Sequence, residues 1–198
     1  MLSGQALVAA SRALVAPSLN IVYADQDGHI GYVTPGRLPI RSRGFGRLPV
    51  QGWDSAHEWI GWIPFEDLPQ EVDPESGFIV NANHDIVGDD YGYIFSNTFA
   101  PPYRAERITA LLTELSSGDS LLTLDDMQRI QGDQYSTQSQ ELLPYLLALD
   151  LQTERQRTAL ELLRSWDGSA DRDSAAAAIY EAWFIQLGWA VYADDVQG

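Results

Sequence analysis

The sequence contains neither cysteine nor lysine, and these two absences exclude several kinds of chemistry. Without cysteine the chain has no disulfide, no thiol nucleophile and no zinc site with cysteine ligands. All twelve basic residues are arginines, so no lysine can serve as a catalytic or Schiff-base amine. The chain also lacks an apolar run near the ~20 residues that a membrane-spanning helix needs, and we therefore expect no membrane partner.

Positive charge is scarce as well. The formal net charge of the 198 residues is −16, whereas a surface that binds phosphates needs clustered lysine and arginine. We therefore expect no nucleic-acid partner. A hydrophobic fraction of 45%, with six tryptophans and nine tyrosines, supplies enough apolar surface for a globular core.

The first half of the chain has the pattern of short strands and loops. Apolar spacing predicts a helix over residues 5–16, ended by Pro17. Residues 20–24 and 29–33 predict two strands joined by a hairpin turn at Asp27-Gly28. A long irregular region over 34–76 follows, and Phe78-Ile79-Val80 predicts a short buried strand.

The second half has the spacing of amphipathic helices. One helix is predicted from Arg104 to Leu115, and a second opens at Asp125, runs past Gly132 toward Leu143 and ends before Pro144. Further helices are predicted over 153–165 and over 175–187, and residues from Asp194 onward have the pattern of a frayed tail. We interpret the chain as α+β, with a strand- and loop-rich portion over 1–102 and a helical portion over 103–198.

Several short motifs occur in a fixed order along the chain. The central one is Gly-Phe-Ile-Val-Asn-Ala-Asn-His over residues 77–84. Before it come Asn-Ile-Val-Tyr-Ala-Asp-Gln-Asp-Gly over 20–28 and Gly-Trp-Ile-Pro-Phe over 61–65; after it come Asp-Asp-Tyr over 89–91 and Tyr-Arg-Ala-Glu-Arg-Ile over 103–108. Each motif alone is weak, but the ordered set is specific.

This ordered set resembles the middle of the nucleophile-bearing chain of the penicillin acylase family, a family of N-terminal-nucleophile amidohydrolases. The resemblance implies part of an αββα sandwich. It also implies a parent enzyme that hydrolyses a linear amide, with a small-molecule N-acyl amide as the substrate. The nucleophile of such an enzyme is a serine that self-cleavage exposes at a new N-terminus. The resemblance also implies that the parent enzyme is periplasmic or secreted.

The resemblance assigns catalytic roles to two residues. Asn81 corresponds to the asparagine whose side-chain N–H donates to the oxyanion of the amide under attack. Arg104 corresponds to an arginine near the acyl pocket that orients the site. Without the resemblance, the favoured interpretation of Asn81 is a turn asparagine that bonds its own backbone. Asn83 is its nearest competitor for the catalytic role, and Arg104 could be a surface arginine at a helix start.

The nucleophilic serine of the family has no counterpart in this sequence. Ser96-Asn97 is the one serine-asparagine dipeptide, but it follows Phe95 and comes after Asn81, in the wrong order, so we interpret it as a loop. We therefore expect the segment to be inactive alone and to need the remaining portions of the acylase, namely the first chain and the rest of the nucleophile chain. Without them, exposed apolar surface and open strand edges should cause self-association.

Catalysis of this type requires no cofactor, but the resemblance implies a structural Ca²⁺ in the full-length parent. Asp85, Asp89 and Asp90 follow the asparagine motif and offer the oxygen donors that hard cations take. The resemblance implies one calcium ligand at this place, and Asp90 is the candidate. The three histidines are too dispersed along the sequence to indicate a metal site by their spacing.

A different class of function is a stand-alone ligand- or carbohydrate-binding module. Trp53, Trp59 and Trp62 could stack on sugar rings. They lie among prolines, however, where aromatic side chains more often pack loops down.

Overall fold

The computed structural model describes residues 3–118 and 121–193. The chain divides into two compact units, Met1–Ala105 and Glu106–Gly198. The first unit holds five strands and one short helix, and the second holds helices. The predicted mixture of α and β structure is confirmed.

The first unit begins with helix α1 and continues with short strands. Their bounds are α1 Gly4–Ser11, β1 Ile21–Ala24, β2 Ile30–Val33, β3 Pro39–Arg41, β4 Trp59–Trp62 and β5 Gln70–Val72. Helix α1 is shorter than predicted: it ends at Ser11 with Arg12 as its C-cap, five residues before Pro17. Three of the strands and two short 3₁₀ turns lie in the region that the sequence predicted to be irregular.

Strands β1, β2 and β5 form an antiparallel sheet in that order. The turn between β1 and β2 contains Gly28 at φ +91°, a left-handed conformation that glycine adopts without strain, so the predicted hairpin is confirmed. Val33 of β2 is completely buried. Strand β2 is the central strand, and its side chains form most of the interior face of this sheet.

Asp73 connects the end of β5 to the start of β2 through hydrogen bonds. One carboxylate oxygen lies 2.7 Å from His29 Nδ1, and the other accepts the backbone N–H of Ile30 at 3.1 Å. The backbone N–H of Asp73 donates to the Ile30 carbonyl at 2.8 Å. Asp73 has φ +50°, so these contacts hold it in a left-handed conformation that aspartate adopts more readily than most residues.

Strands β3 and β4 form a separate two-stranded ribbon. The pairing of Ile40 with Gly61 and of Arg41 with Trp59 shows a bulge between Ile40 and Arg41. The rings of Trp59 and Trp62 meet edge to face, with centroids 5.5 Å apart. Both rings are largely exposed to solvent.

The predicted strand over Phe78-Ile79-Val80 is wrong. These residues belong to no strand of the described structure, because they follow a tight turn instead of a sheet neighbour. Gly77, at φ +74°, donates its N–H to the Pro74 carbonyl, and the Ser76 hydroxyl donates to the Phe78 carbonyl. An apolar run becomes a strand only when another strand accepts its backbone hydrogen bonds.

The helical part of the chain begins within the Tyr-Arg-Ala-Glu-Arg-Ile motif. The helices are α2 Tyr103–Ser116, α3 Leu124–Gln131, α4 Thr137–Leu147, α5 Glu154–Arg164 and α6 Ala175–Tyr192. Thr123 with Asp126 and Thr153 with Gln156 form capping boxes at the starts of α3 and α5. Ser174 caps α6, as the sequence predicted.

Tyr180 is the centre of the core of the second unit. It is fully buried, and its ring lies 5.4 Å from that of Trp166 and 5.7 Å from that of Trp183. Leu146, Leu160 and Leu163 surround it from α4 and α5. Helices α4, α5 and α6 are therefore held together by one apolar cluster.

The prediction of one helix from Asp125 toward Leu143 is also wrong. Helix α3 ends at Gln131, and α4 begins at Thr137 after an N-cap at Ser136. Asp133 causes the break, since its carboxylate accepts the N–H of Tyr135 at 3.3 Å and a two-pronged ion pair from Arg107 at 2.8 and 2.6 Å.

Two further predicted helix ends differ from the structure. Pro144 lies inside α4 instead of beyond its end, because its carbonyl still accepts the N–H of Ala148 at 3.2 Å. Helix α6 extends to Tyr192, five residues beyond the predicted end at Leu187. The predicted frayed tail from Asp194 lies outside the described residues. None of the described helices is long and apolar enough to cross a membrane.

Candidate functional site

Asn81 lies on an exposed turn that begins where the chain leaves residues 78–80. The next residue, Ala82, is buried with 3% exposure and anchors the turn. The backbone N–H of Asn83, at φ +61°, donates to Asn81 Oδ1 at 3.4 Å. Since that partner is a donor, Oδ1 is the atom that faces it, and the Nδ2 amide group of Asn81 has no hydrogen-bond partner among the described residues.

Arg104, near the start of α2, forms hydrogen bonds with the same turn. Its Nη2 donates to the Ala82 carbonyl at 2.8 Å and to Asn83 Oδ1 at 2.9 Å. The N–H of Ala100 donates to the Asn83 carbonyl at 2.7 Å. The structure thus brings the two predicted residues to one turn, with Arg104 bonded to the neighbours of Asn81 and not to Asn81 itself.

Two clefts of the first unit meet at Asn81. One has a volume of about 700 Å³ and the other about 630 Å³. Asn81, His84 and Ile86 line both. A single asparagine amide can therefore reach a group bound in either cleft.

The two clefts differ in the charge of their lining. The first is lined by three carboxylate side chains, from Glu71, Glu75 and Asp85. It also contains Tyr32, whose hydroxyl pKa is raised by burial and, to a smaller extent, by the negative charge of Glu71. The second cleft contains no acidic residue, and its lining mixes uncharged polar residues, such as Asn20 and Thr34, with apolar ones, namely Leu19, Val22, Leu38, Ile86, Phe95 and Phe99.

His84 was missed as a cleft residue by the sequence reasoning. It lines both clefts, and its Nδ1 is buried without a hydrogen-bond partner among the described residues. Its position three residues after Asn81 was visible in the sequence. The shielding of one ring nitrogen depends on contacts that only the folded chain supplies.

Ser96 lies in the second cleft, but its hydroxyl is used in a local turn. It donates to the Thr98 carbonyl at 3.0 Å and accepts the Thr98 N–H at 3.2 Å. Asn97 donates to the Phe45 carbonyl at 3.1 Å. These contacts are those of a loop, as the sequence predicted, and they supply Ser96 with no general base.

Asp90 is exposed on the loop that follows the asparagine turn. The neighbouring Asp85 uses one carboxylate oxygen to accept the N–H groups of Val87 and Gly88. Within residues 3–118 and 121–193, no group of three or more acidic or histidine side chains could hold a metal ion. A calcium ion with Asp90 as one ligand would need further oxygen donors from elsewhere, and this site stays a prediction.

The model of the penicillin amidase family matches residues 3–197 of this chain, so the chain belongs to that family. It is 40% identical over 164 residues to the penicillin acylase 2 proenzyme of Pseudomonas sp. strain SE83, an alignment that covers 82% of this chain and 21% of that protein. It is 35% identical over 201 residues to the acyl-homoserine lactone acylase QuiP of Pseudomonas aeruginosa, covering 94% of this chain and 23% of that protein.

The fold is shared with a solved structure of the thermostable penicillin G acylase from Alcaligenes faecalis. The TM-score is 0.64 at 23% identity, over 87% of this chain and 31% of that one. The predicted N-terminal-nucleophile hydrolase fold is therefore confirmed. The chain spans only 21% and 23% of the length of the two relatives above. These likenesses give no support to the alternative of a stand-alone binding module.

Proposed function

We propose that this chain is the oxyanion-binding segment of a longer acylase that hydrolyses a linear amide. Asn81 donates its Nδ2–H to the carbonyl oxygen that becomes negatively charged as the amide is attacked. The observation that carries this proposal is that the turn uses Oδ1 of Asn81 and leaves Nδ2 without a hydrogen-bond partner among the described residues. A preformed donor of this kind stabilises the transition state more than the ground state.

Arg104 is a positioning residue in this proposal. Its two hydrogen bonds fix the Ala82 carbonyl and the Asn83 side chain, and thereby the backbone on either side of the Asn81 turn. The guanidinium can hold both acceptors at once because it is planar and presents several donors.

In this proposal, the difference in charge between the two clefts determines how the substrate lies. The cleft with Val22, Phe95 and Phe99 suits an apolar acyl group, since burial of each methylene contributes about 0.8 kcal/mol. The cleft with Glu71, Glu75 and Asp85 suits the leaving amine, which takes up a proton as it departs. Asn81 lines both clefts, which supports a scissile amide that lies beside its side chain.

The nucleophile in this proposal is a serine outside these 198 residues. The sequence contains no serine in the family's pattern, and the hydroxyl of Ser96 is committed to Thr98. A serine freed at a chain terminus would use its own α-amino group as the base, since that group has a pKa of about 8.

The coding sequence upstream of this chain tests the proposal. We expect a continuous reading frame that encodes Gly-Ser-Asn or Cys-Ser-Asn ahead of residue 20. In the enzyme encoded by that frame, Asn81→Ala should lower kcat by about 10²–10³-fold and leave KM nearly unchanged.

Asn81→Asp is the matched control for the turn. The aspartate keeps an oxygen for the Asn83 N–H but has no N–H to donate, so folding should be preserved while kcat falls at least as far as in Asn81→Ala. Full activity in Asn81→Asp would refute the donor role. An upstream frame without a serine of this pattern would refute the proposed nucleophile.

A further inference from the structure

A third cavity of about 540 Å³ is formed by β3, β4 and the loop between them. It shares no lining residue with the two clefts at Asn81. We refer to it as the arginine cavity, because three of its lining residues are Arg41, Arg43 and Arg47. Nothing in the proposed amide hydrolysis uses it.

The arginine cavity lies in the part of the sequence with the strongest positive charge. From Gly28 to Trp53 the chain has no aspartate or glutamate, although the whole sequence carries 28 of them. The three cavity arginines form no ion pair within the described part of the chain. Their charge is therefore available to an anion from outside.

Two of these arginines are held in place by contacts that leave their charge uncompensated. The Arg41 guanidinium lies over the ring of Trp59 at 5.9 Å from its centroid and also packs on Gly46, where an added Cβ would come within 2.9 Å of Arg41 Nε. Arg47 donates to the Asn97 carbonyl. Arg43 has no hydrogen bond or ion pair with any described residue.

The rest of the lining is apolar. It comprises Phe45, Leu48, Val50 and Trp59. Phe45 is 63% exposed and Leu48 is 79% exposed, so both have apolar surface that a ligand can cover. His57 adds a ring whose Nδ1 is shielded from solvent and lacks a hydrogen-bond partner among the described residues.

We propose that the arginine cavity binds a small organic anion with an apolar body, in the manner of an aliphatic or aromatic carboxylate. Arginine forks match the two oxygens of a carboxylate, and the apolar lining removes the tail of the same molecule from water. A cavity of this size with a few convergent polar groups is within the ordinary range of small-molecule sites. The inference does not depend on the role of Asn81.

Isothermal titration with sodium octanoate tests the proposal, on the 198-residue chain at a concentration where light scattering gives the monomer mass of 22.0 kDa. Octanamide, which has the tail without the charge, and inorganic phosphate, which has charge without the tail, are the partial probes. We expect octanoate to bind with one-to-one stoichiometry and each partial probe to bind at least about tenfold more weakly, because each loses one of the two contributions.

Two arginine variants locate the site. Arg43→Gln should weaken octanoate binding about fivefold to tenfold through loss of one charge-assisted hydrogen bond. Arg37→Gln is the matched control, since it removes the same charge from the same acid-free stretch but Arg37 does not line the cavity. Both side chains are free of contacts that would make either variant unfold.

Three outcomes would overturn the proposal. Equal weakening in Arg37→Gln and Arg43→Gln would show a diffuse charge effect without a site. Equal binding of octanamide and octanoate would show that the arginines do not recognise the anion. Absence of octanoate binding would refute the ligand site and would leave contact with other protein as the explanation of the apolar lining.

Discussion

His29 and Asp73 form a pair whose charges depend on pH, and their shifts have opposite directions. The hydrogen bond to Asp73 is the main cause that raises the pKa of His29, and the hydrogen bond to His29 is the main cause that lowers the pKa of Asp73. The stabilisation from His29 is complete below its ordinary pKa and is lost as pH rises through the raised value. The stabilisation from Asp73 is present above its ordinary pKa and is lost as pH falls through the lowered value.

Replacement of the carboxylate tests this pair directly. In Asp73→Asn the pKa of His29 should fall toward 6.5, because the substitution removes the negative charge and with it the charge-assisted hydrogen bond that raises this pKa. An NMR titration of the imidazole protons measures the pKa of His29 in both proteins. Asp27→Asn is the control, since Asp27 makes the smallest contribution to the His29 shift. An unchanged pKa in Asp73→Asn would contradict the pairing.

Asn81 shows how far sequence reasoning reaches for a single residue. The residue and its two alternatives, an oxyanion donor or a turn asparagine, followed from the motif. The structure gives the side chain a turn contact through Oδ1 and a free donor at Nδ2, so the two alternatives are compatible. Which atom serves the turn could not be predicted, since it depends on the left-handed conformation of Asn83.

Helix α5 presents two adjacent leucines in different environments, and they provide a matched test of the core. Leu163 has 2% exposure and packs in the cluster around Tyr180, whereas Leu162 has 41% exposure. Leu163→Ala should lower the free energy of unfolding by about 2–4 kcal/mol through lost burial and the cavity left behind. Leu162→Ala should lower it by about 0.5–1 kcal/mol, because less apolar surface is lost from water.

Urea unfolding followed by circular dichroism at 222 nm measures both variants. Their helix propensity changes by the same amount, so the difference between them reports burial alone. Equal losses in the two variants would show that the α5–α6 packing does not carry the stability of the second unit.

The helices were predicted better than the strands because their signals are local. A cap and a period of 3.6 residues lie within one helix, and so the starts of α5 and α6 agreed with the structure to within a residue. The break at Asp133 and the loss of the strand at 78–80 each depend on a partner distant in sequence: Arg107 in one case and a missing sheet neighbour in the other. Periodicity contains no information about such partners.

Both units expose large apolar side chains. Trp53 is 84% exposed in the first unit, and Leu121, Leu124 and Trp189 are 93%, 82% and 66% exposed in the second. Where such exposed apolar side chains are contiguous, they mark a surface that other protein covers. Relatives about four times longer than this chain contain additional sequence that can cover such groups.

The isolated chain should therefore self-associate. Light scattering should give a mass that rises above 22.0 kDa as concentration increases. Trp189→Gln should lower that mass at a given concentration, because it removes an exposed indole from α6. A constant mass of 22.0 kDa, together with cooperative unfolding, would favour an independent module instead.

The order of strands in the sheet also sets an order of events during folding. The β1–β2 hairpin joins neighbours in sequence and can close within about 1–10 μs. The β2–β5 pairing joins Val33 to Gln70, so a long loop that contains the β3–β4 ribbon and the arginine cavity must close before this contact forms. The ribbon can therefore form as a local structure before β2 pairs with β5. The His29–Asp73 contact joins the same two strands, so we expect it to form late, together with that pairing.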